Sequence, residues 1–305
     1  YLAALLQTGR KIDVGPKSGS VAVFKVTSEA GANLSWSGNS EALHWSLGPD
    51  LYTQEVQETL ARAARKAEEK RIEQFAKKED AAKEKEEKKE DDAPKDEPKA
   101  KSVAIGFKHP ADAPQGIVAL VGARVITMNG DEVLERATII IEGNRIQAVA
   151  PADEVQIPED AFVLDCAGRT ILPGFIDVHA HGPQAHQGIT PQQNWSALAD
   201  LAFGVTTVHD PSHDTESIFA ASEMQRAGLV VQPRTFSTGT ILYGAAGSSK
   251  AQIDSLEDAL FHLKRMQAVG AFSVKSYNQP RRDQRQQVIE AARQLNMMVV
   301  PEGGS

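Results

Sequence analysis

The sequence contains a single cysteine, Cys166, among its 305 residues. One cysteine excludes an internal disulfide and every zinc site that is built from several thiolates. Because unpaired cysteine usually behaves as a small apolar residue, we expect Cys166 to pack in a core. The sequence also lacks any run of about 20 apolar residues, so it predicts no membrane-spanning helix.

The sequence also lacks a region that is strongly and exclusively basic. Acidic residues outnumber basic ones by 41 to 33, which gives a net charge of −8, and the two signs are interspersed. A basic face that would follow a nucleic-acid backbone is therefore missing, and we expect no nucleic-acid partner. A composition of 41% hydrophobic and 24% charged residues is typical of a folded globular protein.

The two ends of the chain carry no recognisable start or stop. The first residue is Tyr1 rather than Met and no signal-peptide pattern follows it, while the last stretch, "MMVVPEGGS", reads as a strand and the beginning of a loop. We therefore expect the chain to be an internal part of a longer protein, so a motif that is missing from it carries little weight.

Composition divides the first part of the chain in two. Residues 1–52 are predicted to form short strands, because "SVAVFKVT" is rich in β-forming residues and glycine-containing turns separate the later clusters. Residues 53–115 are predicted to form a charged linker, helical from about Gln54 and then solvated across "EDAAKEKEEKKEDDAPKDEPKAK". A charged tail that binds a partner is the alternative for this linker.

The remainder reads first as antiparallel and then as parallel β structure. Residues 116–172 are predicted to form a small antiparallel sheet with hairpins at Asn129-Gly130 and Gly143-Asn144. From residue 173 to 305, strand-like and amphipathic helical segments alternate five times. This alternation indicates parallel strands with right-handed crossovers, in either a (β/α)8 barrel or an open doubly wound sheet.

The first of these strands, "GFIDVHAH", ends in two histidines. Residues two apart on a strand point to one face, so His179 and His181 are predicted to project together, with Asp177 below them. Barrel enzymes hold catalytic groups at the carboxyl ends of their strands, and two such imidazoles can bind one zinc-class ion. Ordinary surface histidines are the alternative, because this spacing alone is a weak signal.

Two further strands carry candidate site residues. In "AFSVKSYNQ", Lys275 shares a face with Tyr277, and a lysine midway along a barrel strand is costly unless it is paired or modified. An exposed lysine at a strand end is the alternative. In "TTVHDP", His209 ends the predicted strand and is expected to face the mouth, where it would contact substrate or form a hydrogen bond with Asp210. His209 and Tyr277 are the predicted substrate-binding residues.

The stretch "ILPGFIDVHAH" and the motif Ile141-Glu142-Gly143-Asn144-Arg145-Ile146 resemble the amidohydrolase superfamily. The resemblance covers about residues 116–305 and implies an α/β fold, with a small β-sandwich over residues 116–172. Residues 173–305 would then be the first half of a (β/α)8 TIM barrel. It also implies one or two divalent metal ions, zinc above all, at the carboxyl-terminal mouth of the barrel.

The same resemblance suggests metal ligands. His179 and His181 would bind the more buried ion, and a carboxylated Lys275 would bridge two ions. The fifth strand departs from the family pattern, because Glu302 stands where most members place a histidine. Glu302 is predicted to be a substitute ligand, and a substrate-facing or loop residue is the alternative.

By resemblance, the activity is hydrolysis of a C–N bond in an amide, a cyclic amide or a small peptide through a metal-activated water. Metal-dependent deamination is the runner-up. The catalytic general base is expected beyond Ser305, so the fragment itself is expected to be inactive. A non-catalytic propeller and barrel protein that binds ligands at a degenerate metal site is the alternative from another class.

The segment from Asn33 to Ser46 resembles the end of a β-propeller of the TolB or tricorn type. One strand ends in S-W-S, a tight turn follows, and the next strand runs to W-S. Residues 1–52 are therefore predicted to be the C-terminal remnant of a propeller. Because such propellers are common in the bacterial cell envelope, the resemblance implies a periplasmic protein, with the cytoplasm as the alternative. A small-molecule or small-peptide substrate is the expected partner, and an oligomer is compatible with the sequence.

Overall fold

The structure is a computed structural model that describes residues 1–4, 9, 14, 21–27, 31–80, 100–186, 188–247 and 249–303. The chain divides into two compact units, Tyr1–Phe107 and Lys108–Ser305. Residues 81–99, the centre of the predicted charged linker, lie outside the described residues. Among the described helices, none is both long and apolar enough to cross a membrane.

The first unit is built from antiparallel strands and a long helix. Strands β1 (Leu2–Ala3) and β2 (Val23–Phe24) pair with each other, and a four-stranded sheet has the order β3 (Ala32–Trp36), β4 (Ala42–Leu47), β5 (Asp50–Glu55), β6 (Lys101–Ala104). Helix α1 (Val56–Asp80) follows β5 directly, as the charge pattern predicts. The tight turn between β3 and β4 is also found, and the propeller stays a prediction.

Strand β6 lies inside the segment that was predicted as a linker. Its residues are exposed and its sequence, "KSVA", carries no apolar alternation. Backbone hydrogen bonds to β5 hold it, with Leu51 opposite Val103 and Thr53 opposite Lys101. Composition missed this strand because pairing with an existing sheet edge, and not burial of its side chains, fixes it.

The second unit begins with a mixed sheet: the predicted antiparallel pairing is found for the first three strands and is wrong for the last two, which pair in parallel with the first because no hairpin joins them to it. Its strands are β7 (Ile117–Ile126), β8 (Val133–Glu142), β9 (Arg145–Pro151), β10 (Phe162–Asp165) and β11 (Thr170–Ile171). The hairpins β7-β8 and β8-β9 turn at the two predicted dipeptides, and Gly143 takes the positive φ of 57° that its two-residue turn requires. Cys166 is buried in the core of this sheet, as predicted. Strands β7 to β11 form one sheet, and the β-sandwich predicted for residues 116–172 stays a prediction.

Strands and helices then alternate. The strands are β12 (Phe175–Asp177), β13 (Val205–Asp210), β14 (Arg234–Ser237), β15 (Ile241–Tyr243), β16 (Lys250–Gln252), β17 (Ser273–Ser276) and β18 (Met298–Pro301). The helices are α2 (Trp195–Ala202), α3 (Thr215–Arg226), α4 (Leu256–Ala268) and α5 (Arg282–Gln294). All pairings between these strands are parallel, in the orders β12-β13-β14 and β16-β15-β17-β18. The five predicted β units and the four helices between them are therefore present.

Strands β15 and β16 were not predicted. Strand β15 lies in the glycine-rich stretch "GTILYGAAGSSK", and β16 begins at the last residue of that stretch, Lys250. Leu242 of β15 pairs with Ser276 at the carboxyl end of β17, so the extra strands extend the sheet at that end. A glycine-rich segment is therefore part of the edge at which the predicted site residues lie.

Helix caps and one apolar core fix the position of β17. Ser255 and Asp258 form a reciprocal capping box at the start of α4, and Asn194 and Asp214 cap α2 and α3. Helices α4 and α5 pack over β17 through a fully buried cluster that includes Leu263, Val274 and Val288. Because neighbouring residues of a strand point to opposite faces, Val274 in this cluster directs Lys275 to the other face of the sheet.

Candidate active site

The two histidines of "GFIDVHAH" lie just beyond the end of their strand. Strand β12 ends at Asp177, so the prediction that it runs to His181 is wrong. The Asp177 carboxylate accepts a hydrogen bond from the His179 backbone N–H at 3.0 Å, which turns the chain. Ala180 N–H then donates to the carbonyl of His209 at 3.0 Å, which keeps the turn beside β13.

This turn brings the two imidazoles together. Their ring centroids are 5.1 Å apart with the planes at 77°, and both side chains are exposed. The two exposed rings therefore lie next to each other in the turn beyond the carboxyl end of β12. The predicted proximity of His179 and His181 is found, although a turn and not strand periodicity produces it.

Asp210, at the end of β13, orients one of these rings. Its Oδ1 lies 3.2 Å from His181 Nδ1 and 2.9 Å from the Ser212 backbone N–H. A carboxylate oxygen accepts hydrogen bonds, so this contact favours the His181 tautomer with its proton on Nδ1, and in that tautomer Nε2 has a lone pair. Asp210 is almost completely buried, and its Oδ2 has no partner among the described atoms. A buried carboxylate behind an exposed imidazole is the arrangement that usually orients a metal-binding histidine.

Lys275 is buried and ion-paired. It is 1% exposed on β17, and its Nζ lies 2.5 Å from Oε2 of Glu302, which follows β18. The interpretation of Lys275 as an exposed strand-end lysine is therefore wrong, whereas the expectation that a lysine here needs a partner is met. Glu302 is held at this place by its backbone N–H, which donates to the carbonyl of Ser276 at 2.8 Å.

The two histidines also contribute to the electrostatic surroundings of Glu302. The hydrogen bond from Lys275 lowers the pKa of Glu302 below its usual value, and the charges of Lys275, His179 and His181 act in the same direction. The geometry shows two separate pairs, namely His179 with His181 in the turn after β12, and Lys275 of β17 with Glu302 after β18.

His209 connects β13 to β17. Its Nε2 forms a 2.8 Å hydrogen bond with Ser273 Oγ. Burial lowers the pKa of His209, as do the charges of His179 and Lys275, while a hydrogen bond to the Val178 backbone acts in the opposite direction. The expected alternative, a hydrogen bond to Asp210, is not what is found, because Asp210 pairs with His181. Substrate contact by His209 stays a prediction.

The donor types suit a divalent ion, but their arrangement is incomplete. Two imidazoles and a carboxylate are ligands that zinc takes in proteins. Among the described residues, however, no three His, Cys, Asp or Glu side chains are grouped so that they hold a metal ion. Glu302, the candidate third donor, is engaged by the amine of Lys275. His179 and His181 therefore fit a metal as a pair, with Asp210 behind them.

The chain is similar to known proteins over part of its length. No family model matches the chain. An imidazolonepropionase from Vibrio cholerae is 39% identical over 66 residues, which are 20% of this chain and 16% of that protein. A dihydroorotase from Anaeromyxobacter dehalogenans is 29% identical over 150 residues, which are 46% of this chain and 33% of that protein. The chain thus spans between about a sixth and a third of the length of these relatives.

Solved structures with a similar fold cover more of the chain. Phenylurea hydrolase B matches with a TM-score of 0.51 and 20% identity, over 62% of this chain and 56% of that chain. A Xaa-Pro dipeptidase with methionine bound in its active site matches with a TM-score of 0.50 and 17% identity, over 61% of this chain and 56% of that chain. These likenesses show the mixed α/β fold. Together with the curated relatives, they support the resemblance of the chain to the amidohydrolase superfamily.

Proposed function

We propose that residues 173–303 are part of a (β/α)8 barrel of a metal-dependent hydrolase that cleaves the C–N bond of an amide, a cyclic amide or a small peptide. The observation that supports this proposal is that an imidazole pair, His179 with His181, and a buried ion pair, Lys275 with Glu302, each lie at or near the carboxyl ends of parallel strands. Active sites of barrel enzymes form at this edge. The names of the relatives, imidazolonepropionase and dihydroorotase, and of the structural neighbours support the reaction class.

In this proposal, His179 and His181 would hold a divalent ion through ring nitrogens. A bound ion of this kind supplies Lewis acidity, which polarises a substrate carbonyl and lowers the pKa of water toward about 7. Asp210 keeps the proton of His181 on Nδ1, and the Asp177 carboxylate fixes the turn that carries His179. Both carboxylates therefore act on the geometry of the imidazoles before any substrate arrives.

Lys275 and Glu302 have two roles open to them. As an ion pair, they place a buried positive charge and a partly exposed carboxylate beside the histidines. After carboxylation, Lys275 would carry a carboxylate that can bind an ion. Glu302 would then be released from the ion pair and could act as a donor in addition to His179 and His181. Zinc is the proposed ion, because imidazole and carboxylate suit it.

The test is the metal content of the full-length protein, purified without chelator and then supplied with zinc and bicarbonate. Elemental analysis should find one or two ions per chain, and a panel of N-acyl amino acids, cyclic amides and dipeptides should contain a substrate whose hydrolysis needs the metal. His179→Ala/His181→Ala should lose both metal and hydrolysis. His109→Ala, which changes an exposed histidine outside the site, is the matched control and should lose neither.

The absence of a grouped three-ligand set among the described residues favours a second candidate, a non-catalytic binding protein. That candidate predicts no bound metal after zinc and bicarbonate are supplied, together with an intact fold. Metal binding without hydrolysis of any C–N substrate would also contradict the hydrolase. Hydrolysis that survives in His179→Ala/His181→Ala would overturn the proposed role of the histidines.

A further inference from the structure

A lysine and two tyrosines form a second cluster at the same edge of the sheet. Lys250 Nζ lies 4.5 Å from the ring centroid of Tyr243 and 4.1 Å from that of Tyr277. The two rings meet edge to face, with centroids 5.5 Å apart and planes at 83°. Both distances are within the range in which the ring face attracts a cation. The two rings therefore fix the position of one ammonium group.

The backbone holds these three residues firmly. Tyr243 ends β15, Lys250 begins the parallel strand β16, and the Tyr277 N–H donates to the Leu242 carbonyl at 3.2 Å. The side chain of Gln279 bonds the backbone on both sides of Tyr243. Its amide N–H donates to the Leu242 carbonyl at 2.9 Å, and its amide oxygen accepts from the Gly244 N–H at 2.8 Å. The tyrosine pair is thus part of the sheet and not of a free loop.

The cluster lies beside the proposed metal site. Tyr277 follows β17 two residues after Lys275, and Glu302 follows the neighbouring strand β18. The Glu302 N–H donates to the Ser276 carbonyl, so Glu302 and Tyr277 leave adjacent strands at the same level. Neighbouring strands are about 4.8 Å apart, which puts the tyrosine ring within reach of a small molecule bound at Glu302.

The charge of Lys250 indicates what it binds. Within the described part of the chain, Lys250 has no carboxylate partner, so its N–H donors are not taken by an internal ion pair. A cationic ligand would have to displace an ammonium that is tethered to the site, which is a strong competitor. A carboxylate would instead gain a charge-assisted hydrogen bond from an ammonium that is already oriented.

We propose that Lys250, held over Tyr243 and Tyr277, binds the carboxylate of a substrate whose C–N bond is cleaved at the neighbouring site. The inference rests on the proposed hydrolase function and adds to it the class of substrate, namely one with a carboxylate near the scissile bond. Tyr243 and Tyr277 are positioning residues for Lys250. Neither Lys250 nor Tyr243 was singled out from the sequence.

The test compares acid and amide substrates on the native protein. Once a substrate acid is found, Lys250→Met should lower kcat/KM at least about tenfold for the acid and leave its carboxamide analogue within about twofold, because the variant keeps the apolar stem and loses the charge. Lys250→Arg should retain much of the preference for the acid. Lys264→Met, an exposed lysine on α4, is the matched control and should change neither substrate. Unfolding midpoints of all variants check the fold.

Binding is measured separately from hydrolysis, so that a failure of the proposed hydrolase function can be distinguished from a failure of the inferred carboxylate site. N-acetylglycine and N-acetylglycinamide are titrated by calorimetry into wild-type protein and into Lys250→Met. Tighter binding of the acid that depends on Lys250 supports the inference even if no substrate is hydrolysed. An equal loss for acid and amide, or no loss for either, overturns it. Tighter binding of putrescine than of N-acetylglycine by the wild-type protein also overturns it, because the tyrosines would then be a site for cations even with Lys250 present.

Discussion

Replacing Glu302 by glutamine would leave the buried ammonium of Lys275 without its carboxylate. At 2.5 Å and an effective dielectric constant of about 20, two unit charges attract by roughly 7 kcal/mol. The cost of desolvating Lys275 offsets much of this attraction. Glu302 keeps 34% of its side-chain surface exposed, so solvent screens the pair further. We therefore expect Glu302→Gln to lower the free energy of unfolding by about 2 kcal/mol.

Lys275→Met should behave differently. It replaces a buried charge by an apolar side chain of similar length, and it leaves a carboxylate that water can reach. Such replacements are often nearly neutral, so we expect a loss below about 1 kcal/mol, and the double variant should resemble Lys275→Met alone.

The assay is urea unfolding of the metal-free protein at pH 7, with Glu223→Gln on the exposed surface of α3 as the control for the amide substitution. The coupling energy between the two sites should be at least about 1 kcal/mol. The reasoning is refuted if Glu302→Gln leaves stability unchanged, or if Lys275→Met costs as much as Glu302→Gln.

Three further predictions follow from the same contacts. The stabilisation by Glu302 is complete above pH 4.5, its ordinary pKa, and is lost as the pH falls through its lower folded-state pKa, so wild type and Glu302→Gln should converge in acid; a gap in unfolding midpoint that does not narrow as the pH falls below 4.5 would contradict this. Asp210→Ala should weaken zinc binding about 10–100-fold in chelator competition, because His181 loses its orienting partner; unchanged affinity would remove that role. A methyl group on Gly244 would overlap the buried side chain of Gln284, so Gly244→Ala should cost about 1–3 kcal/mol in urea unfolding, and an unchanged midpoint would count against this packing.

The alternation of strands and helices in the second unit was predictable because it depends on local periodicity. The apolar positions of α4 repeat at the helical period, and Ser255 with Asp258 marks its start. Asn129-Gly130 and Gly143-Asn144 define hairpins by turn chemistry alone. These signals lie within a few residues of each other, so the sequence contains them without reference to the rest of the fold.

The contacts that build the site are not local, and the sequence could not supply them. His181 and Asp210 are 29 residues apart, and only the pairing of β12 with β13 brings them together. The burial of Lys275 implied that a partner was needed, but its identity as Glu302 depends on the register of β17 and β18. The extra strands β15 and β16 were missed because glycine and serine dominate the segment between them.

The pairing of Lys275 with Glu302 sets a condition on how metal could enter this site. As ammonium and carboxylate, the two side chains neutralise each other at 2.5 Å. Carboxylation of Lys275 would make both partners negative, and two neighbouring anions repel unless a bound cation offsets their charge. An uncarboxylated ammonium would in turn repel a cation placed next to Glu302. Carboxylation of Lys275 and occupancy near Glu302 must therefore rise together, so added bicarbonate should raise the number of ions from one, held by His179 and His181, to two.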